Sequence, residues 1–171
     1  MKPRIILFAI VLLGICTSPG CLKIRYTTSG ASIPAQATTF SVGYFQNNAP
    51  LAQPALSNRV TNALIDKISS QTRLKLVSGS GDLHFEGEIT GYTTTPEAIQ
   101  GNEQAAMNRL TITLNVRFFN RIDPSKDFET RFSRFQKYAT TESLSVVEDR
   151  LIDQINAELV EDIFNRALVN W

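Results

Sequence analysis

The feature that most constrains the fold is a nine-residue stretch in which apolar and polar side chains alternate strictly. From Leu110 to Phe118 every even position is apolar and every odd position is polar. Successive side chains of a β-strand point to opposite faces, so this stretch predicts a strand with one buried and one hydrated face. A chain with such a strand must also supply elements that cover its apolar face.

The segments on either side predict two neighbouring strands of the same sheet. Residues 82–92 alternate in the same way, with Leu83 and Phe85 on the apolar side. The strand predicted at 128–138 is less regular, because Phe135 is out of step with the phenylalanines before it. This irregularity predicts a bulge or a change of pairing partner in the third strand.

The chain before this sheet predicts two short strands and a helix. Residues 40–45 alternate as a first strand, and residues 74–77 form a second apolar run. Between them, Pro54 fits the first turn of a helix, where its missing N–H is not needed. Apolar residues recur at helical spacing from Leu56 to Ile68, so the helix is predicted to run to about Gln71.

A second, longer helix is predicted at the end of the chain. Ser145 and Glu148 have the spacing of a capping box, in which each side chain satisfies the other residue's backbone N–H. An apolar stripe then recurs every four residues to Ala167, and Trp171 continues it. The predicted fold is α+β, a two-layer sandwich in which two helices pack on one face of a mostly antiparallel or mixed sheet of four or five strands.

The first twenty residues, 1–20, predict a lipoprotein signal peptide. Basic Lys2 and Arg4 precede an apolar run, Ile5–Ile15, whose 11 residues are too few for a bilayer span of about 20. Gly20 then precedes Cys21, and a small residue before a cysteine is what lipoprotein processing requires. We therefore expect lipidation of Cys21; the alternative is an ordinary secretory signal with an incidental cysteine.

Cleavage after Gly20 would leave a lipidated tether at 21–39 and a single domain at 40–171. It would also leave 15 Lys and Arg against 16 Asp and Glu, a balance that argues against a nucleic-acid partner. No cysteine follows Cys21, so neither a disulfide nor a cysteine-based metal site is expected.

The hydrated face of the sheet is the predicted functional surface. It would carry the following polar residues: His84, Glu86, Glu88, Tyr92, Thr111, Thr113, Asn115, Arg117 and Arg131. The chain has one histidine, and on a strand it would form a flat row with the two glutamates at spacings of about 6–7 Å. Such a row does not enclose a metal without further ligands. We therefore predict no catalytic residues, no metal and no cofactor.

The candidates for contact with an anionic lipid or a partner are basic. They are Arg131, Arg134 and Lys137 of the third strand, together with Arg117. The alternative is that the three basic residues of the third strand form cross-strand ion pairs with Glu86, Glu88 or Glu129. The segment 93–108 between the first two strands of this sheet is long for a hairpin loop, so it is a second candidate for partner contact. An exposed hairpin without a role is the alternative there.

A string of short motifs spans the chain after Cys21. In order, they are Tyr26…Ser29-Gly30-Ala31-Ser32-Ile33, Phe45-Gln46-Asn47-Asn48-Ala49-Pro50-Leu51, Gly87-Glu88-Ile89-Thr90-Gly91-Tyr92, Gly101-Asn102-Glu103…Asn108-Arg109-Leu110-Thr111-Ile112 and Phe132-Ser133-Arg134. In order and spacing, this string resembles the LptE-type lipopolysaccharide-assembly lipoproteins of the Bacteroidetes group. The predicted element order is also similar to the two-helix, mixed-sheet fold of that family.

The resemblance implies a non-enzymatic lipoprotein anchored on the periplasmic side of the outer membrane. Proteins of this family plug the large β-barrel LptD and assist its assembly, and together they deliver lipopolysaccharide to the outer leaflet. The resemblance therefore implies an LptD-type barrel as partner and lipopolysaccharide as a further candidate ligand. Two other classes stay open: a periplasmic ligand-binding or hydrolytic lipoprotein using His84, Glu86 and Glu88, and a ring-forming module of a secretion channel.

Overall fold

The computed structural model describes residues 33–97 and 106–169 of the 171-residue chain. Within these residues, six strands and two helices follow one another. They are β1 (Thr39–Val42), β2 (Gln46–Asn47), α1 (Leu56–Gln71), β3 (Lys75–Leu76), β4 (Leu83–Glu97), β5 (Met107–Asn120), β6 (Phe128–Ala139) and α2 (Leu144–Phe164). A single 3₁₀ turn, Pro124–Lys126, precedes β6, and a π-helical turn, Asn165–Val169, continues α2.

The strands form one mixed sheet in the order β3-β1-β4-β5-β6, and β2 also pairs with β4. The pairs β1–β3, β1–β4 and β2–β4 are parallel, whereas β4, β5 and β6 are antiparallel neighbours. The two helices pack on this sheet and on each other. The predicted α+β sandwich is confirmed, with more parallel pairing than the alternation alone indicated.

The apolar positions of β5 form the centre of the core. Leu110, Ile112, Leu114 and Val116 are fully buried, and Phe118 is 1% exposed. Burying such side chains stabilises the fold by roughly 1.5–3 kcal/mol each before entropy is counted. The pattern that predicted the strand therefore also sets the surface on which α2 packs.

A register shift between Ile89 and Gly91 of β4 corrects one prediction. Up to the shift, even-numbered residues of β4 lie on the hydrated face; beyond it, they lie on the helix face, because a bulge inserts one extra residue. Tyr92 was predicted on the hydrated face, but it is 6% exposed and its hydroxyl donates to the Glu148 carboxylate of α2. Burial raises the pKa of the Tyr92 hydroxyl well above its usual range.

The bulge predicted in the third strand is absent. The pairing of β5 with β6 runs without a shift from Met107 opposite Ala139 to Phe118 opposite Phe128. Phe135 is out of step with the apolar set because it lies on the hydrated face, where 43% of it is exposed. An aromatic residue on a polar face therefore produced the irregular pattern.

The predicted capping box is also wrong. Helix α2 begins at Leu144 with Ser143 as its N-cap, and no side chain caps its first turn. The Glu148 carboxylate instead accepts hydrogen bonds from the Tyr92 hydroxyl and, at 2.7 Å, from Gln53 Nε2. Helix α1 begins at Leu56, two residues after Pro54.

Seven of the sixteen residues in the predicted contact loop, 93–97 and 107–108, belong to strands. Strand β4 continues to Glu97, and β5 begins at Met107 opposite it. Residues 98–105 of that loop lie outside the described residues. So do Cys21, most of the predicted tether and Trp171.

The chain enters the sheet at the end opposite this hairpin. One carboxylate oxygen of Asp82 accepts hydrogen bonds from the backbone N–H groups of Thr38 (2.9 Å) and Thr39 (3.0 Å) and from the Thr38 hydroxyl (3.1 Å). These bonds, led by the Thr38 N–H, lower the pKa of Asp82 to about 2. A single carboxylate therefore fixes the start of β1 against the start of β4.

Replacing a central core residue tests the two-layer packing. We expect Leu114→Ala to lower the free energy of unfolding by about 2–5 kcal/mol, since it leaves a cavity between β5 and the helices. Thr111→Ala, on the hydrated face of the same strand, should change it by less than about 0.5 kcal/mol. Urea unfolding of both variants measures this difference, and equal losses would contradict the assignment of the two faces.

The Asp82 contacts predict an acid-dependent part of the stability. Because the pKa is lowered on folding, the contribution is complete above the unfolded value of 3.8 and is lost as the pH falls through about 2. Asp82→Ala should therefore unfold at lower urea than the wild type at pH 6, and the gap should shrink toward pH 2. Asp66→Ala, which removes an exposed carboxylate from α1, serves as the control and should show no such convergence.

Candidate functional site

The hydrated face of the sheet, here called the polar face, is the surface that the helices leave free. It consists of the odd-numbered residues of β5 and β6. In β4 it consists of the even-numbered residues before the bulge and the odd-numbered residues after it. Apart from Tyr92, every residue predicted for this surface lies on it. The side chains divide into two charged clusters with a neutral stretch between them.

The cluster nearer the start of β4 is acidic on balance. Arg117 forms an ion pair with Glu86 at 2.9 Å, and Asn115 Nδ2 donates to Glu129 at 2.7 Å. Glu88 accepts from Asn48 at 2.6 Å. An open depression of about 560 Å³ lies here, lined by Gly43, Tyr44, Gln46, Glu86, Gly87, Glu88, Asn115, Arg117 and Glu129. Three carboxylates with one guanidinium give its lining a net negative charge, which does not favour an anionic ligand.

The cluster near the hairpin is basic on balance. The Glu97 carboxylate lies between Arg109 and Lys137, with N–O distances of 2.8 Å to each. The hydrogen bond from Lys137 is the main reason that the pKa of Glu97 is lowered. The Arg109 guanidinium also lies over the Phe135 ring at 4.2 Å, a cation–π contact. Glu97 and Arg109 were not predicted as surface residues, because Glu97 lies in the predicted loop and Arg109 directly before the strand predicted from Leu110. Extending the alternation of β5 by one residue upstream would have found Arg109.

Hydroxyl groups occupy the space between the clusters. The hydroxyls of Thr113 and Ser133 lie 3.0 Å apart across β5 and β6, and Thr111 is two residues earlier in β5, nearer the hairpin. The polar face therefore carries carboxylates, basic groups and hydroxyls in nearly balanced numbers. Such a surface suits contact with another polar surface better than binding of a single strongly charged ligand.

The predicted basic cluster on β6 does not exist as one surface. Arg134 lies on the helix face, where its guanidinium forms two hydrogen bonds with Asp162 of α2 at 2.5 and 2.7 Å. These contacts raise the pKa of Arg134. Lys137 lies on the polar face beside Glu97, about 20 Å along the strand from Arg131. Arg134 and Lys137 do form ion pairs, but with Asp162 and Glu97 and not with the glutamates of the alternative interpretation, Glu86, Glu88 and Glu129.

Two of the four candidates are neighbours on the polar face. Arg117 is opposite Glu129, and Arg131 is opposite Asn115, which makes the two arginines diagonal neighbours about 7–8 Å apart. Arg131 is exposed and makes no ion pair or hydrogen bond within residues 33–97 and 106–169. A contact role for Arg117, Arg131, Arg134 or Lys137 stays a prediction.

The surroundings of His84 argue against a hydrolytic centre. His84 Nδ1 lies 2.8 Å from the Ser41 hydroxyl oxygen, and Nε2 lies 3.5 Å from Glu86. Ser41 is only 3% exposed, however, and its oxygen accepts the Gly81 N–H at 2.9 Å. A nucleophile must reach its substrate, and this hydroxyl is enclosed by the chain.

The described part of the chain contains neither a group of metal-ligating side chains nor a helix that could span a membrane. In residues 33–97 and 106–169, no three His, Cys, Asp or Glu side chains are grouped so that they could hold a metal ion. Glu88 is bonded to Asn48 and does not converge with His84 and Glu86. Among the helices of the same residues, none combines the length and the apolar character needed to cross a bilayer.

Solved structures with this fold come from several bacterial proteins. The hypothetical protein CT253 from Chlamydia trachomatis aligns with a TM-score of 0.51 and 9% identity, over 76% of this chain and 95% of that one. A minor lipoprotein from Acinetobacter baumannii aligns with a TM-score of 0.45 and 13% identity, over 76% and 91%. The uncharacterized lipoprotein B from Nitrosomonas europaea gives 0.42 and 15%, over 74% and 79%. At these identities the likeness concerns the fold alone.

Sequence comparison gives a more specific result. No curated protein matches the chain. A family model described as "LptE: Lipopolysaccharide-assembly" matches residues 37–167, which include every described strand and both helices. The chain belongs to the LptE family of lipopolysaccharide-assembly proteins.

Proposed function

We propose that this chain is an outer-membrane lipoprotein whose polar face docks inside the lumen of an LptD-type β-barrel. In this role it would plug the barrel, help it to assemble and support delivery of lipopolysaccharide to the outer leaflet. The observation that carries the proposal is the polar face itself, because three long strands present a wide hydrated surface that neither helix covers. Membership of the lipopolysaccharide-assembly family supports the same role.

The chemistry of the polar face is compatible with a barrel lumen. The inward-facing side chains of large outer-membrane barrels are polar, and the channel they line is wet. A surface with both signs of charge can form charge-paired and water-bridged contacts there without a large apolar patch. Several of its charges are already paired within the chain, as in Glu86–Arg117 and Glu97–Lys137, so these charges have partners before docking.

The proposed anchor is a lipid on Cys21. Eleven residues separate Cys21 from Ile33, where the described chain begins, and an extended chain of that length spans at most about 40 Å. The chain enters the sheet beside Asp82, at the end opposite the β4–β5 hairpin. In this arrangement the lipid would hold one end of the sheet near the periplasmic side of the membrane, and the hairpin would point away from the point of entry.

We propose a non-catalytic role, which is the role of the LptE family. The enclosed Ser41 hydroxyl supports it, and so does the pairing of Glu88 with Asn48. A direct lipopolysaccharide contact would have to use Arg131 first, since Arg117, Arg134 and Lys137 are all paired with carboxylates. The outer-membrane barrel is therefore the better-supported partner.

Charge reversal on the polar face tests docking. We expect Arg117→Glu to reduce the amount of barrel recovered with the intact lipoprotein after mild detergent extraction by roughly tenfold, because it sets a third acidic side chain beside Glu86 and Glu129. The control is Arg150→Glu, an equal charge change on the exposed side of α2, which should leave recovery unchanged.

The variant Glu86→Arg combined with Arg117→Glu separates docking from folding. It restores an ion pair within the chain, so the fold should be as stable as in the wild type, but the charges offered to the partner are exchanged. We expect recovery of the barrel to stay low. Normal recovery with Arg117→Glu, or equal loss with Arg150→Glu, would contradict docking through the polar face.

Substitution of the cysteines tests the anchor. Cys21→Ser should release the protein into the soluble periplasmic fraction, because it removes the thiol that would carry the lipid. Cys16→Ser, within the predicted signal peptide, should leave the protein in the outer-membrane fraction. Fractionation followed by mass spectrometry of the mature N-terminus measures both, and membrane retention of Cys21→Ser would contradict lipid anchoring at this residue.

A further inference from the structure

The end of the sheet at which the chain enters carries exposed basic side chains that lack carboxylate partners. This end, here called the entry surface, consists of residues 33–39, 72–82, 119–128 and 165–169. We propose that the entry surface rests on the phosphate headgroups of the membrane that holds the lipoprotein's anchor, so that the strands stand away from the bilayer. This contact requires the lipid proposed above for Cys21, but it does not require docking inside a barrel.

Contacts within the chain bring the connecting segments together at this end. The backbone N–H of Arg121 donates to the Asp82 carbonyl at 2.9 Å, and the Arg121 guanidinium donates to the Ser80 carbonyl at 3.4 Å. The Arg73 guanidinium donates to the Pro34 carbonyl, also at 3.4 Å. Both arginines are exposed, and within the described part of the chain neither guanidinium meets a carboxylate, so both positive charges are available to another surface.

Two further basic side chains lie at the same end. Lys75 is opposite Thr39, where β1 begins, and Arg166 lies 5.3 Å over the Phe128 ring, where β6 begins. Both are exposed, and neither forms an ion pair among residues 33–97 and 106–169. The polar face differs, because three of its four basic side chains are paired with carboxylates. The entry surface is therefore where the described chain concentrates positive charge without partners.

The entry surface is positively charged on balance. Its five basic and three acidic side chains are Arg73, Lys75, Arg121, Lys126 and Arg166, and Asp82, Asp123 and Asp127. All three carboxylates accept hydrogen bonds from backbone N–H groups of this end, so they hold its turns in place. The opposite end has the reverse balance, with three acidic side chains and one basic side chain in residues 139–150. The entry surface, and not the hairpin end, is thus complementary to a membrane that displays anionic phosphates.

The sequence between this surface and the proposed lipid has the same charge. Eleven residues separate Cys21 from Ile33, and they include Lys23 and Arg25 but no acidic residue. The attraction of basic groups to an anionic membrane acts only over about one Debye length, roughly 8–10 Å. A lipid anchor holds the adjoining basic groups within that range, so the two signals reinforce each other.

Exposed apolar side chains lie beside the basic groups. Ile122 follows Arg121 in the turn before β6 and is 39% exposed, and Phe119, near the end of β5, is 38% exposed. Apolar side chains next to basic ones are typical of protein surfaces that lie in the headgroup region of a membrane. Val146 is more exposed, at 81%, but it lies at the start of α2, at the end where acidic side chains predominate.

This contact would fix the direction of the domain. Strands β4, β5 and β6 run between the entry surface and the hairpin, so a domain resting on this surface holds its polar face perpendicular to the membrane and uncovered. A lipid on a flexible tether would by itself leave the domain free to turn. The entry surface would therefore keep the polar face ready for docking without occupying it.

The experiment uses the mature lipoprotein in vesicles that contain no barrel. A fluorophore is attached to Ile122→Cys or, as the matched control, to Val146→Cys; the Cys21 thiol would be blocked by its lipid. The vesicles contain phosphatidylethanolamine, phosphatidylglycerol and a headgroup-linked collisional quencher. We expect the label at residue 122 to be quenched at least roughly fivefold more than the label at residue 146, because the two ends of the sheet are about 40 Å apart.

A charge reversal tests whether electrostatic attraction holds the surface down. Lys75→Glu should lower the ratio of membrane-resting to free orientations at least roughly fivefold, because it replaces an attraction to the anionic surface with a repulsion. Arg150→Glu, the same change at the hairpin end, should leave the ratio unchanged. High salt, or vesicles of phosphatidylcholine alone, should reduce the quenching at residue 122 in the same way as Lys75→Glu.

Equal quenching of the two labels on vesicle-bound protein would overturn the proposal, as would equal effects of Lys75→Glu and Arg150→Glu. Undiminished quenching in high salt would also overturn it, because the contact would then not depend on charge. A protein that does not associate with the vesicles would contradict both this contact and the lipid anchor. Because no barrel is present, failure of docking through the polar face would leave all of these results unchanged.

Discussion

The whole arrangement depends on covering one apolar sheet face. The even-numbered side chains of β5 and the apolar residues of β4 cannot remain in water, so α1 and α2 must both lie on the same side of the sheet. Two helices at the usual interaxial distance of about 8–10 Å are enough to cover the strands they meet. The opposite face then needs no cover, and it is left as a hydrated surface.

The character of that hydrated surface follows from charge pairing across strands. Glu86 and Arg117 are directly opposed on β4 and β5, and Glu97 is shared between Arg109 and Lys137. Pairing of this kind contributes little to stability when exposed, but it keeps a wide surface close to neutral. A nearly neutral, strongly polar surface can enter a water-filled barrel lumen. An apolar surface would be disfavoured there, and a strongly charged surface would bind non-specifically to groups of opposite charge. This property connects the fold to the proposed docking.

The spacing of apolar side chains predicted β5, the first part of β4 and both helices, because a period of two residues in a strand or 3.6 in a helix appears directly in the order of residues. It failed at three places. Tyr92 crosses to the helix face because a bulge shifts the register, Phe135 stays on the polar face although it is aromatic, and Glu148 bonds to Tyr92 instead of capping its own helix. Each failure concerns a residue whose partner is distant in sequence. Likewise, the candidates Arg117, Arg131, Arg134 and Lys137 could be named from sequence, but their division between two faces could not.

The amino-acid sequence by itself determined which residues are buried in β5, the fold class and the family, since these rest on local periodicity and on a recognisable order of motifs. Tertiary structure alone decided the parallel pairing of β1, β2 and β3, the bulge at Ile89 to Gly91 and the partners of the paired charged groups on the polar face. The physical reason is that a strand's period states only that a side chain faces one side or the other. Which strand lies next to it, and in which register, depends on contacts between residues that are far apart in the chain.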